Sequence, residues 1–443
     1  MTLVRTGLLV LGGILAVSGA ELTTRPTTFT KDVAPILQAK CQECHRKGSM
    51  APMSLMTYEE TRPWAKAIKE RVLTRQMPPW HLDKTVGIQK FQNDISLSDE
   101  QIATIARWVD AGAPMGDAKD MPAPREFPSY DGWQLAKQFG QPDLVLKSDS
   151  YTMPAHGQDA WFKPLTSVPL TEPRWVRAVE MRPGTPAGRR MMHHVLAYLQ
   201  QEEPDKQADD FNVGPGLLME WAVNKNYDTY RPNTGKLLLP GAHIWWELHL
   251  HAVGEEIRDH AELAVYLYPK GQEPKYRTRL MIFNATAVAN GEAILDIAPN
   301  SVSETEAFHV LKQPARLENY QPHMHLRGKA MAMEAILPDG TRRTLSYVDH
   351  FNFNWMTNYI YADDAAPVLP KGTVLHIKAW HDNTAANKNN PDPNQWVGWG
   401  DRTVDEMAHA WVNVTYISEE DYQQWLAKEK EKSRQAPAER ASR

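Results

Sequence analysis

The sequence predicts a multidomain chain: a small all-α domain followed by two all-β sandwich domains of jelly-roll type. Residues 28–115 carry apolar positions at helical spacing. Residues 151–417 carry short alternating runs (RWVRAVEM, HHVLAYLQ, IWWELHLH, ELAVYLYP, TVLHIKAW, HAWVNVTY) separated by Pro, Gly and Asn clusters. The length of 443 residues gives about three domains at roughly 150 residues each.

The first twenty residues, MTLVRTGLLVLGGILAVSGA, place Arg5 before the apolar run Leu8–Val17 and the small residues Ser18 and Ala20. They read as a secretory signal peptide over 1–20, cut after Ala20. An uncleaved N-terminal anchor is the alternative, although the run is short for a span of about 20 residues. No later stretch is long and apolar enough to span a bilayer, so a periplasmic or secreted protein is expected.

In the helical region, Val33, Ile36 and Leu37 share one face of a helix over 32–40. Trp64, Ile68 and Val72 do the same over 61–73, with Pro63 in the first turn, where proline is tolerated. Ser98 followed by Gln101 is a capping box, and Gly112 closes that helix. Residues 116–150, rich in Pro, Asp and Lys, read as a linker. The β region of about 270 residues suits two sandwiches, 151–280 and 281–417. Residues 418–435 read as a charged helix, with a frayed tail to 443.

Composition narrows the chemistry. The net charge of −5 argues against nucleic-acid binding through bulk positive charge. Two Cys against 16 His and 18 Met exclude a disulfide scaffold, so His and Met must supply most metal ligands. Both cysteines fall in Cys41-Gln42-Glu43-Cys44-His45. Two thiols at this spacing form thioethers with the haem vinyl groups, and the adjacent His reaches the iron. A redox dithiol would want a βαβ context, and a zinc site two more ligands nearby. Met77, in a proline-held loop, is the expected sixth ligand, with Met50, Met53 and His81 as rivals. The order helix, C-x-x-C-H, Met loop, helix resembles a small class I cytochrome c domain.

Further histidines recur in the β region: His193-His194, His249-Leu250-His251, and His323-Met324-His325, with Met407 after Asp405-Glu406. Residues two apart on a strand share a face, so His-x-His grips one metal with both rings. Thioether with imidazole favours copper over zinc. His193 and His194 face opposite ways on an ideal strand and share a metal only if the chain bends.

Taken in order, these motifs over roughly 151–417 resemble the copper type II, ascorbate-dependent monooxygenases, the family of peptidylglycine α-hydroxylating and dopamine β-monooxygenases. The resemblance implies two β-sandwiches, each with a copper. It implies that His193, His194 and His249 hold a first, electron-transfer copper. It implies that His323, His325 and Met407 hold the second, where dioxygen and an organic substrate meet and which would be catalytic. Leu248-His249-Leu250 matches the family pattern better than His251, which could replace or join His249; His409 could approach the second copper. His243, His260, His309, His350, His376 and His381 lack metal spacing and read as structural.

The sequence also departs from the family. Both cysteines belong to the haem motif, so family disulfides are absent. Gln321 stands at a substrate-binding Arg position and Trp411 at a Tyr position, which argues against peptidylglycine as substrate. The fused haem suggests electrons arriving from a redox protein or small reductant, then passing to the first copper and the second. The rival readings are a haem/copper electron-transfer protein without substrate oxidation, and a ligand-binding sandwich tethered to a cytochrome.

Overall fold

The computed structural model describes residues 25–441 apart from 48, 50, 128–131, 203–215, 223, 224, 290 and 291. The expected signal peptide and Met50 lie outside the described residues.

Among the described residues, the N-terminal region is gathered by three helices longer than one turn, α1 (Ala34–Lys40), α2 (Ala65–Leu73) and α3 (Asp99–Asp110), besides shorter helical turns such as Tyr58–Thr61. Both halves of the capping box at Ser98 and Gln101 are present. Phe29, Leu37, Val72, Ile105 and Trp108 fill the small core between them.

The rest of the chain is mainly β, in two sandwiches. In the first, β1 (Leu144–Lys147), β2 (Arg174–Pro183) and the later Ala261–Leu267 strand form one layer. The other layer holds β3 (Met192–Gln200), β4 (Gly216–Ala222) and β5 (His243–Leu250). Val179, Val195, Leu218, Trp246 and Leu263 lie between the layers. In the second sandwich, β6 (Tyr276–Asn284), β7 (Asn319–His323) and β8 (His409–Tyr416) form one layer. It faces a four-stranded antiparallel sheet that includes Gly328–Ile336 and Val374–Asp382. The layers enclose Phe283, Tyr320, Met331, Ile377 and Val412.

Several expected boundaries move. β1 falls inside the expected linker but pairs Leu144 with Val265, because Leu146 fills the first core. The first sandwich therefore begins before residue 151. The expected break at 280 cuts β6, which pairs with β8 from Thr278 to Asn284 and also meets β4 where Leu280 pairs with Leu217, so the strand links the two sandwiches. The C-terminal helix runs over Glu419–Ala441, past the expected end at 435.

The helical region is not separate from the β region either. The stretch between α2 and α3 docks on the second sandwich. Trp80 and Leu82 enter its core, Leu82 bridges Val348, and Phe91 bridges Tyr361. The Trp80 ring meets Tyr359 edge-on at 4.8 Å, and Asn93 Nδ2 donates to the Asn358 carbonyl. Apolar residues in a loop have little burial of their own, so they complete a neighbour's core.

Candidate metal centre

Strand alternation explains where the histidines go. On β5, Ile244, Trp246, Leu248 and Leu250 point into the first core, so His249 points away from it. On β3, Val195 and Ala197 point in, so His194 shares the outer face with Leu196 and Tyr198. On β7, Tyr320 points into the second core, leaving Gln321 and His323 outward. On β8, Ala410, Val412 and Val414 point in, leaving His409 and Trp411 outward. These outer faces meet: Leu196 and Leu217 pack on Leu280 and Trp411. His194, His249, His323, His325 and His409 are therefore buried between the sandwiches, each at most 7% exposed.

A β-bulge joins the adjacent pair. His194 pairs with His249, but Met192 pairs with Leu250, so His193 is the extra residue on its strand. Such a residue is turned from the strand's alternation. His193 Nδ1 lies 3.1 Å from His194 Nδ1, and the ligand atoms of His193, His194 and His249 all lie within 4.8 Å of one another. Asp159 accepts from His249 Nε2 at 2.8 Å, and Trp161 stacks on that ring at 4.5 Å. His249 Nδ1 is left buried and without a partner. A carboxylate behind an imidazole fixes its tautomer and raises its basicity as a ligand. His251 sits at the edge, 6.3 Å from His193 between ring centres.

The second group is looser. His323 and His325 lie 5.3 Å apart, and His323 stacks on His409 at 4.7 Å. Both ring nitrogens of His409 are buried and unpartnered. His325 Nδ1 donates to the Asp405 carbonyl at 3.1 Å, leaving Nε2 its lone pair. Glu406 accepts from the backbone N–H groups of His325 and Arg327, so it clamps the turn. Burial pushes its carboxyl up to about 8. Met407, expected as the thioether ligand, is half-buried, and its carbonyl accepts from His381 Nε2. The sulfur beside His323 is that of Met356, 3.3 Å from Nδ1.

The two groups adjoin. The His194 and His323 rings are 6.4 Å apart, and Phe353 stacks on His193 at 5.0 Å while presenting its face or edge to His325 at 5.8 Å. Burial pushes His193 and His325 down to about 4 and His409 to about 3, the neighbouring imidazoles adding to the shift. These rings are neutral at pH 7, as metal ligands must be. Gln321 is fully buried, donating to Glu220 and accepting from Lys225 Nζ at 3.2 Å.

At the N-terminal motif, Cys41 and Cys44 are half-buried thiols on one turn, not joined in a disulfide. His45 Nδ1 donates to the Met53 carbonyl at 3.2 Å, which leaves Nε2 as the lone-pair nitrogen. Met77 is half-buried at the end of the α2 turn, next to the docked Pro78–Trp80 stretch. His81 lies against the second sandwich, its backbone N–H donating to the Tyr359 hydroxyl at 3.3 Å.

His409, expected near the second group, lies against His323; Asp159, Phe353 and Met356 lie outside the regular strands and carry no comparable sequence signal.

No protein-family model matches the chain, and no curated protein does. Among solved structures, the VP2 subviral particle of infectious bursal disease virus is 10% identical, covering 63% of this chain and 73% of that one at a TM-score of 0.18. A Paenibacillus xanthan lyase is 11% identical, covering 60% and 25% at a TM-score of 0.16. Procruciferin, an 11S globulin from Brassica napus, is 8% identical, covering 64% and 86% at a TM-score of 0.13. Likeness this slight carries no argument about function.

Proposed function

We propose that the chain is an exported, haem-fused dicopper monooxygenase that hydroxylates a C–H bond of an organic substrate with dioxygen. The observation that carries this is the convergence of His193, His194 and His249 with His323 and His325 at one buried interface, in a chain that also holds C-x-x-C-H.

The residues fit the groups. For a c-type haem, Cys41 and Cys44 supply thiols and His45 presents Nε2; Met77 remains the proposed sixth ligand. For the first copper, the orphaned His249 Nδ1 and the facing nitrogens of His193 and His194 form a three-nitrogen set. For the second, His323 and His325 supply imidazoles; the family resemblance implies Met407 as the thioether, while the sulfur beside His323 is that of Met356. Copper, when bound, supplies one-electron and dioxygen chemistry, and the haem supplies electrons from an external donor.

The chain's own part is positioning and exclusion of water. Asp159 orients His249, and Glu406 holds the turn bearing His325. Phe353, Trp161 and Trp411 wall the site. Lys225 is held between Glu220 at 3.6 Å and Asp228 at 3.7 Å, so neither it nor Gln321 offers a free grip for a substrate carboxylate.

The near-complete burial of His323 and His409, at 3% and 5% exposed, favours a second reading, electron transfer without substrate oxidation. Oxygen consumption by copper-loaded protein, with reductant and a panel of organic substrates, separates the two. Substrate-dependent uptake, lost in His323→Ala, is expected. Reduction of the metals without any substrate-dependent uptake would favour electron transfer.

A further inference from the structure

We infer that Met356, rather than Met407, supplies the sulfur ligand of the second metal. The inference rests on the reading of His323 as a ligand of that metal.

His323 is buried, and the partner of its Nδ1 is the Met356 thioether at 3.3 Å. A thioether is a weak acceptor and a poor reason to bury an imidazole nitrogen. It is a good ligand for a soft metal. At about 2.0 Å to nitrogen and about 2.3 Å to sulfur, a separation of 3.3 Å subtends about 100° at a single ion. That is close to a tetrahedral edge. The nitrogen and the sulfur thus already stand where one metal would hold them.

Two further observations lie beside this pair. His409 stacks on His323 with both ring nitrogens buried and unpartnered. The loop carrying Met356 is also fastened over the site. Phe353 packs on His193 and His325, and the Asn358 side chain accepts from Asn319 Nδ2 at 2.6 Å. Met356 itself is 5% exposed. By contrast, Met407 is tied in through its backbone carbonyl, which accepts from His381 Nε2 at 3.1 Å.

Copper X-ray absorption on full-length, Cu(I)-loaded protein tests this. A sulfur shell at about 2.3 Å is expected in the unmodified protein. It should vanish in Met356→Leu, with the haem spectrum unchanged, and persist in Met407→Leu. A second measurement does not depend on the Met356 variant folding: in selenomethionine-labelled Met407→Leu, copper–selenium scattering should remain. A sulfur shell that survives Met356→Leu, that is lost in Met407→Leu, or that is missing from copper-loaded unmodified protein overturns the inference while leaving the dicopper reading standing. Failure to bind copper at all overturns both.

Discussion

The two histidine groups occupy the same interface but are assembled differently. The first is built by sheet register. A bulge at His193 and the pairing of His194 with His249 set three rings from two neighbouring strands, and Asp159 fixes one of them. The second is built by packing. His323 and His409 come from adjacent strands, but their rings stack, and Met356 and Phe353 are brought by a loop. That loop leans on the docked stretch after α2, through Asn93 and Trp80. Register makes a rigid site, whereas a loop makes one whose shape depends on what holds the loop.

Substitutions should therefore separate the groups. The largest effect is expected for His249→Ala: loss of one of two copper equivalents, read by metal analysis, with the other kept. Loss of both would mean the groups act as one site. Next, Trp80→Ala removes a 7%-exposed ring from the second core and should cost about 3–5 kcal/mol in denaturant unfolding. It should also weaken metal binding at the second group and spare the first. Equal weakening at both would break the comparison.

Asp159→Asn should weaken the first site alone, by about 10–100-fold in a competition titration. An unchanged affinity would show that the carboxylate does not tune His249.

The smallest effect concerns protons. In the metal-free protein, His193 and His325 are held down to about 4, so the unfolded chain binds more protons than the folded one between about pH 6.5 and 4. Their contribution to stability is present at neutral pH and is lost as pH falls through that window, by about 1.4 kcal/mol per pH unit for each ring. Denaturant melts at stepped pH should show this slope, reduced in His325→Phe. A flat profile would contradict their burial as neutral rings.

How far these features could be read from the sequence follows from their range. The capping box at Ser98 and the alternation of β3, β5 and β8 are local, and they were legible. Alternation even tells which histidines leave the core. The bulge was not legible, because spacing alone puts His193 and His194 on opposite faces and only the partner strand shows the extra residue. Met356 and Asp159 sit in loops, where no period marks them. The docking of Trp80 and Leu82 depends on a core more than two hundred residues away in sequence. The buried Glu220–Lys225 pair, paired with Gln321, was equally hidden, since isolated charges in a sequence read as surface.

On the function proposed above, histidines on two meeting sandwich faces hold two coppers in a chain that also binds a covalent haem. Quantifying haem and copper in purified full-length protein, with visible and EPR spectra, tests it most directly. One haem and two coppers per chain are expected, with copper EPR signals broadened by a neighbouring metal. A folded, haem-loaded protein that takes up no copper would contradict it.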